Sequence, residues 1–237
     1  MATSGSTDYS ETTTSIIKDA LLEIGAVSVD DVVDAPMHAH ALRKLNRMIK
    51  AWQARGFNLW RDTEGSVALV ADQASYTFGG STPDVSYRPL RISSIRYRSA
   101  TGVDRPIVPI MARQDYFDLP EKSASGTPTS FYYDPGLSQG TLYIWPVPST
   151  VTTETLKITY SRSFEDFDNN ADEPDLPQEW LDAIVLGLAA EMCAPLYPGN
   201  QALLADTKVR AMAALEEASM FDRETASITF IPCGSDG

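Results

Sequence analysis

Any imidazole chemistry in this 237-residue chain would have to use His38 or His40, its only two histidines. They stand two apart in a stretch whose apolar spacing predicts a helix. Residues two apart on a helix point to different sides, so the pair cannot chelate one metal without ligands from elsewhere. Exposed or capping histidines fit the spacing better. A second candidate is Asp166-Phe-Asp168-Asn-Asn170-Ala-Asp172, which begins like a calcium loop. It then departs from one: Ala171 replaces the glycine of the turn, and Pro177 stands where a bidentate Glu should be. A solvated acidic linker is the better reading of that run. The glycine-flanked nucleophile, phosphate-loop, zincin and dinucleotide patterns are all missing from the sequence. With 32 acidic side chains, no single pair stands out as a glycosidase dyad.

Cys193 and Cys233 lack the spacing of a metal or redox pair, so folding in a reducing cytoplasm is expected. The formal net charge is −13, which argues against coating nucleic acid, because that needs a basic surface. Mean hydropathy is −0.18, and no apolar run approaches the ~20 residues of a spanning helix. The charge is also segregated. Arg43, Lys44, Arg47, Lys50, Arg55 and Arg61 follow one another with no acid between them, whereas 163–207 is acidic and holds no Lys or Arg. Such single-sign segments are either solvated or meet complementary surfaces.

The elements that would position these groups follow from periodicity. A Ser/Thr-rich start precedes a helix over Thr13–Ile24, with Ile17, Leu21 and Ile24 on one face and Gly25 as its stop. Pro36 suits the first turn of a second helix. Along it Leu42, Leu45, Ile49 and Trp52 form one stripe, with Arg43, Arg47 and Lys50 on the other side. From Phe57 to Tyr160, short β-prone runs alternate with turn clusters, and Pro106, Pro109, Pro146 and Pro148 push several of them to strand ends or edges. Helical spacing returns after Asp175-Leu-Pro177. The helix Gln178–Ala194 carries Trp180, Ile184, Leu188 and Met192 on one side and the small Ala183, Gly187 and Ala190 on the other. So little polar surface implies burial on more than one side, within its own bundle or against a neighbouring subunit. A last helix covers Gln201–Phe221, and an extended tail follows.

The expected class is therefore α+β: a four-helix bundle from the N- and C-terminal segments, an all-β sandwich or barrel-like insertion, and an extended C-terminal tail. The boundaries would be 1–56 for the arm and first two helices, 57–164 for the β insertion, 165–224 for the acidic linker and last two helices, and 225–237 for the tail.

Several segments then resemble a known family by their order. Gly126-Thr-Pro128-Thr-Ser-Phe-Tyr132-Tyr133 precedes Thr141-Leu-Tyr-Ile-Trp-Pro146-Val-Pro148 and then Leu156-Lys-Ile-Thr-Tyr160. Asp175-Leu-Pro177-Gln-Glu-Trp180 and an Ala-rich helix follow, after an opening with Ile24-Gly25 and Ile49-Lys-Ala-Trp52-Gln-Ala-Arg-Gly56. This order is similar to the head-to-tail adaptors of tailed bacteriophages, the packaged-DNA-stabilisation, tail-accessory and tail-tubular-protein-A group, from about Thr13 to Phe221.

The resemblance implies a non-enzymatic virion protein at the head–tail junction, assembled in the host cytoplasm, without cofactor or bound metal. It implies a homo-oligomeric ring, commonly of twelve copies, that binds beneath the portal protein, seals packaged DNA and offers a platform to the downstream tail or nozzle protein. DNA would pass through without specific binding, and no membrane is involved. Ile228, Phe230 and Ile231 of the tail would then contact portal by strand addition or groove docking, a disordered tail being the alternative. Arg43, Arg47 and Lys50 would meet acidic surface near Glu165–Asp175 of a neighbouring subunit, and Ala183, Gly187 and Ala190 would pack between subunits. Two other classes stay open on residue types alone: a carbohydrate-binding or adhesin-type module using the aromatic β region, and a carboxylate-based, muramidase-like hydrolase.

Overall fold

In the computed structural model, residues 5–6, 9–55, 62–81, 83–110 and 112–221 are described. In chain order the elements are helices α1 (Thr13–Glu23) and α2 (Ala35–Arg55), then strands β1 (Asp62–Ala68), β2 (Ser75–Phe78), β3 (Arg91–Arg98) and β4 (Asp104–Pro109). A short helix α3 (Arg113–Phe117) leads to β5 (Ser130–Asp134), β6 (Gly140–Trp145) and β7 (Thr155–Ser161). Helices α4 (Leu181–Leu196) and α5 (Gln201–Phe221) complete the described chain. It divides into two compact units, one of residues 1–60 and 165–237, the other Arg61–Phe164.

In the helical unit, Thr12 caps α1 by accepting the Ser15 N–H, and Gly25 at φ +69° closes it. There the N–H groups of Gly25 and Ala26 reach back to the carbonyls of Leu22 and Leu21 at 2.9 Å, a left-handed stop that favours glycine. Ile16, Ile17, Ala20 and Leu21 are fully buried. The inward stripe of α2 is Ala41, Leu45, Met48, Ile49 and Trp52. Both helices pack on α4, which buries Leu181, Ala183, Ile184, Gly187, Leu188, Ala189, Met192 and the free thiol Cys193.

The expected four-helix bundle is not what forms. Helix α5 packs on α4 and the turn before it, not on the core that α1, α2 and α4 share, and its link to α1 is the Arg210–Glu23 ion pair at 2.6 Å. The physical reason lies in its side chains: among those described, only Thr207 and Ala218 are buried, while Val209 and Met212 are 67% and 71% exposed. A helix that fully buries one threonine and one alanine, and leaves Leu203, Leu204 and Leu215 only half-buried, covers too little apolar area to close a fourth side. The protein has five described helices and one sheet, with α3 inside the β unit.

The sandwich or closed-barrel expectation is corrected as well. The strands form a single seven-stranded mixed sheet, ordered β1-β7-β3-β4-β5-β6-β2, curled into a half-barrel. All pairings are antiparallel except β4 with β5. Pro109 ends β4, and the chain from Ile110 to Thr129 makes the long crossover that a parallel pair requires. The curl is visible in the side chains. Phe78, on edge strand β2, has its ring 6.4 Å from that of Tyr160 on β7, next to the opposite edge. One cluster collects Leu142 and Ile144 from β6 with Leu156 and Ile158 from β7, around Tyr76, Phe78 and Ile95.

Candidate assembly surfaces

Helix α2 turns its apolar stripe inward, so Arg43 and Arg47 fall on the exposed side. Neither has an ion-pair partner among the described residues. The neighbouring cations are engaged within the chain: Lys44 Nζ lies 3.1 Å from Glu191 on α4, and Lys50 Nζ 2.7 Å from Asp166. Asn46, on the same helix, holds the backbone of Phe167 from both sides. Its Nδ2 donates to the Phe167 carbonyl and its Oδ1 accepts the Phe167 N–H, each at 2.9 Å. The acidic stretch expected opposite a neighbour's basic helix is thus strapped to α2 of its own chain. Sequence reading missed Asn46, whose role depends on a segment more than a hundred residues away.

The calcium-like run has structural duties of the same kind. Asp172 accepts the N–H groups of Asp168 and Asn169 at 2.7 Å. Those bonds, Asn169's first and then Asp168's, hold its carboxyl below the usual range. The backbone carbonyls of Asp172 and Asn170 receive the N–H and hydroxyl groups of Thr13 and Thr14, at 2.8 to 3.2 Å. These are donors of the first turn of α1, which have no partner within the helix. Among the described residues no three His, Cys, Asp or Glu side chains gather as a metal site. His38 and His40 are half-buried, with Nε2 atoms enclosed and unpartnered, so neither is the exposed or capping histidine that the spacing favoured.

The small residues of α4 are used inside the chain. A Cβ on Gly187 would lie 2.7 Å from Met48 Sδ and 3.1 Å from the Trp52 ring, so glycine there lets α4 approach α2. Ala183 is buried too. Ala190 is half-buried and lines a recess of about 260 Å³ with Trp52, Met212 and Leu215. Another recess, about 500 Å³, opens between α4 and α5 and is lined by Glu179, Asp182 and Glu217 with Arg210 and Leu186. Its three carboxylates come from two helices and a turn, a grouping that no single sequence window displays. Ile228, Phe230 and Ile231 lie outside the described residues.

The aromatic residues of the β unit do not form an open platform. Tyr76, Phe78, Phe131 and Tyr160 are buried in the half-barrel. Tyr116 of α3 stacks on Tyr132 at 5.5 Å and tilts against Tyr143 at 4.9 Å, leaving Phe117 half exposed beneath the Arg113 guanidinium.

Among the described residues, the open surfaces include the exposed arginines of α2, the recess of carboxylates and the exposed Val209 and Met212 of α5. The chain belongs to the SU10 adaptor protein family, whose model matches residues 10–229. That membership bears out the resemblance to phage adaptors read from the order of the motifs, and makes the chain a phage structural adaptor. Comparison with curated proteins gives no match. Among solved structures, a chain of "Neck of empty GTA particle computed with C6 symmetry" aligns at 15% identity and a TM-score of 0.28, over 73% of this chain and 74% of that one. A chain of "Virion of native gene transfer agent (GTA) particle" aligns at 15% identity and a TM-score of 0.29, over 75% and 76%.

Proposed function

We propose that the protein is a head-to-tail adaptor that assembles as a ring of identical copies beneath the portal, closes the filled head and presents a platform to the tail. Membership of the adaptor family supports the class. The observation that carries the ring is a pair of complementary faces left open on one chain. Arg43 and Arg47 are exposed on α2, while Glu179, Asp182 and Glu217 line the recess between α4 and α5. Because Asp166 and Asp172 are held in cis, the recess rather than that loop offers an acidic surface to a neighbour's arginines. Two different patches that fit each other make a heterologous contact, and such contacts generate rings when the rotation closes. Twelve copies is the number that the resemblance implies.

Light scattering on the protein alone and mixed with its portal tests the reading. Wild-type protein should give a ring-sized particle with portal. R43E/R47E should abolish it at moderate salt, and adding E179R/D182R should restore it. Assembly of R43E/R47E that matched wild type at every salt concentration would overturn the contact.

A further inference from the structure

Strand β4 joins the two halves of the sheet over a short distance. It pairs with β3 along Ile95–Arg98 and with β5 only at Val108↔Ser130 and Pro109↔Phe131. One further bond follows, from the Ile110 N–H to the Phe131 carbonyl at 2.7 Å. Helix α3 follows from Arg113. Among the described residues no strand fills the space between the first half of β3, Arg91–Ser94, and the end of β5.

That space is a recess of about 630 Å³, lined by Ile92, Ile107, Ile110, Tyr133 and Arg91. Its far end is closed where the Tyr133 hydroxyl donates to the Pro89 carbonyl at 2.8 Å. The Phe131 carbonyl points towards β4. Alternation along a strand sends the N–H and carbonyl of Tyr133 to the same side, where neither has a backbone partner among the described residues. An unpaired strand edge of this kind is a template for another strand.

We propose that the gap is a strand slot and that it takes Ser227–Ile231 from the C-terminal segment of a second copy of this chain. Sixteen residues, 222–237, follow α5 beyond the described part, and the family match continues into them as far as residue 229. Within them Ser227-Ile228-Thr229-Phe230 alternates polar and apolar residues with β-prone types, and Pro232 sets a stop. The charges also fit. Arg91 lines the slot with no carboxylate among the lining residues, Arg96 being paired with Glu64 and Asp104, whereas Asp222, Glu224 and Asp236 outnumber Arg223 in the segment. Copies must meet for the exchange to occur, so the inference rests to that extent on the assembly reading above.

The test does not need a ring. Full-length T229P, whose own segment cannot donate through residue 229, is titrated with a synthetic peptide of residues 224–233, and amide hydrogen exchange is followed. Exchange at Arg91–Ser94 and Tyr133 should slow by about tenfold or more with the wild-type peptide and stay unchanged with a peptide carrying Thr229→Pro. Adding R91E to the protein should weaken the effect. Any smaller slowing at these amides, or protection that shows only on portal protein added to the sample, would overturn the proposal. Failure of R43E/R47E to alter ring formation would leave this result untouched, so the two ideas fail separately.

Discussion

Asn46 replaces a strand partner with one side chain. By meeting both backbone groups of Phe167, it satisfies a loop that has no ladder of its own. Asn46→Ala leaves both groups without that partner, and an unmade bond in a half-buried place costs about 1–3 kcal/mol. A lowered urea midpoint, with faster amide exchange confined at first to 165–172, is the expected result. Gly187→Ala acts by the opposite route. The added methyl meets Met48 and the stiff Trp52 ring, and such overpacking costs about 1–3 kcal/mol. Shortening Met48 in the same chain should make the pair cost less than the sum of the singles in a denaturation cycle. Neither contact was legible beforehand. Arg43 and Lys50 carry charge of the same sign on the same helix, yet one is exposed and the other paired with Asp166, a distinction that only the returning loop makes. The small residues of α4 were visible as a stripe, but a stripe does not say whether its partner is α2 or another copy.

At the scale of elements, the legible features were those with local causes. Gly25 stops α1, Pro36 opens α2, and each alternating run in 62–161 became a strand. Strand order was not legible, because nothing local tells β1 to pair with β7 rather than with β2. The place of α5 was hidden too: its alanines suit a helix anywhere, and how much area they bury depends on the neighbour. The half-barrel has a titration of its own. Burial pushes the Tyr133 phenol up to about 12 and raises those of Tyr76 and Tyr160. An unfolded tyrosine ionises near pH 10, so the stability from keeping these rings neutral is complete below about pH 10 and is lost as pH rises towards 12. Urea midpoints measured between pH 9 and pH 12 should fall steeply, and Tyr133→Phe should reduce that slope. A slope identical in wild type and Y133F would show that the phenol is not protected.

At the scale of the whole molecule, a charge of −13 at first only excludes a protein that coats DNA. The structure divides that charge into acids used within the chain, such as Asp166 with Lys50 and Asp172 with the N–H groups of Asp168 and Asn169, and acids left open, such as Glu179 and Asp182. Only the second group is available to a partner. Contacts built from exposed charges weaken with salt, since screening acts over about 8 Å at physiological ionic strength. Ring formation should therefore fall between 0.1 and about 1 M salt, whereas capping of α1 by the loop should not.

That capping also imposes an order on synthesis. Thr13 and Thr14 reach carbonyls 159 and 156 residues further along the chain, so α1 is made long before its cap. At about 5–20 residues per second, its first turn waits roughly ten to thirty seconds for Asn170 and Asp172, while the whole half-barrel is made in between. The β unit has all its strands before the helical unit has its cap, an order of synthesis set by where those two carbonyls lie.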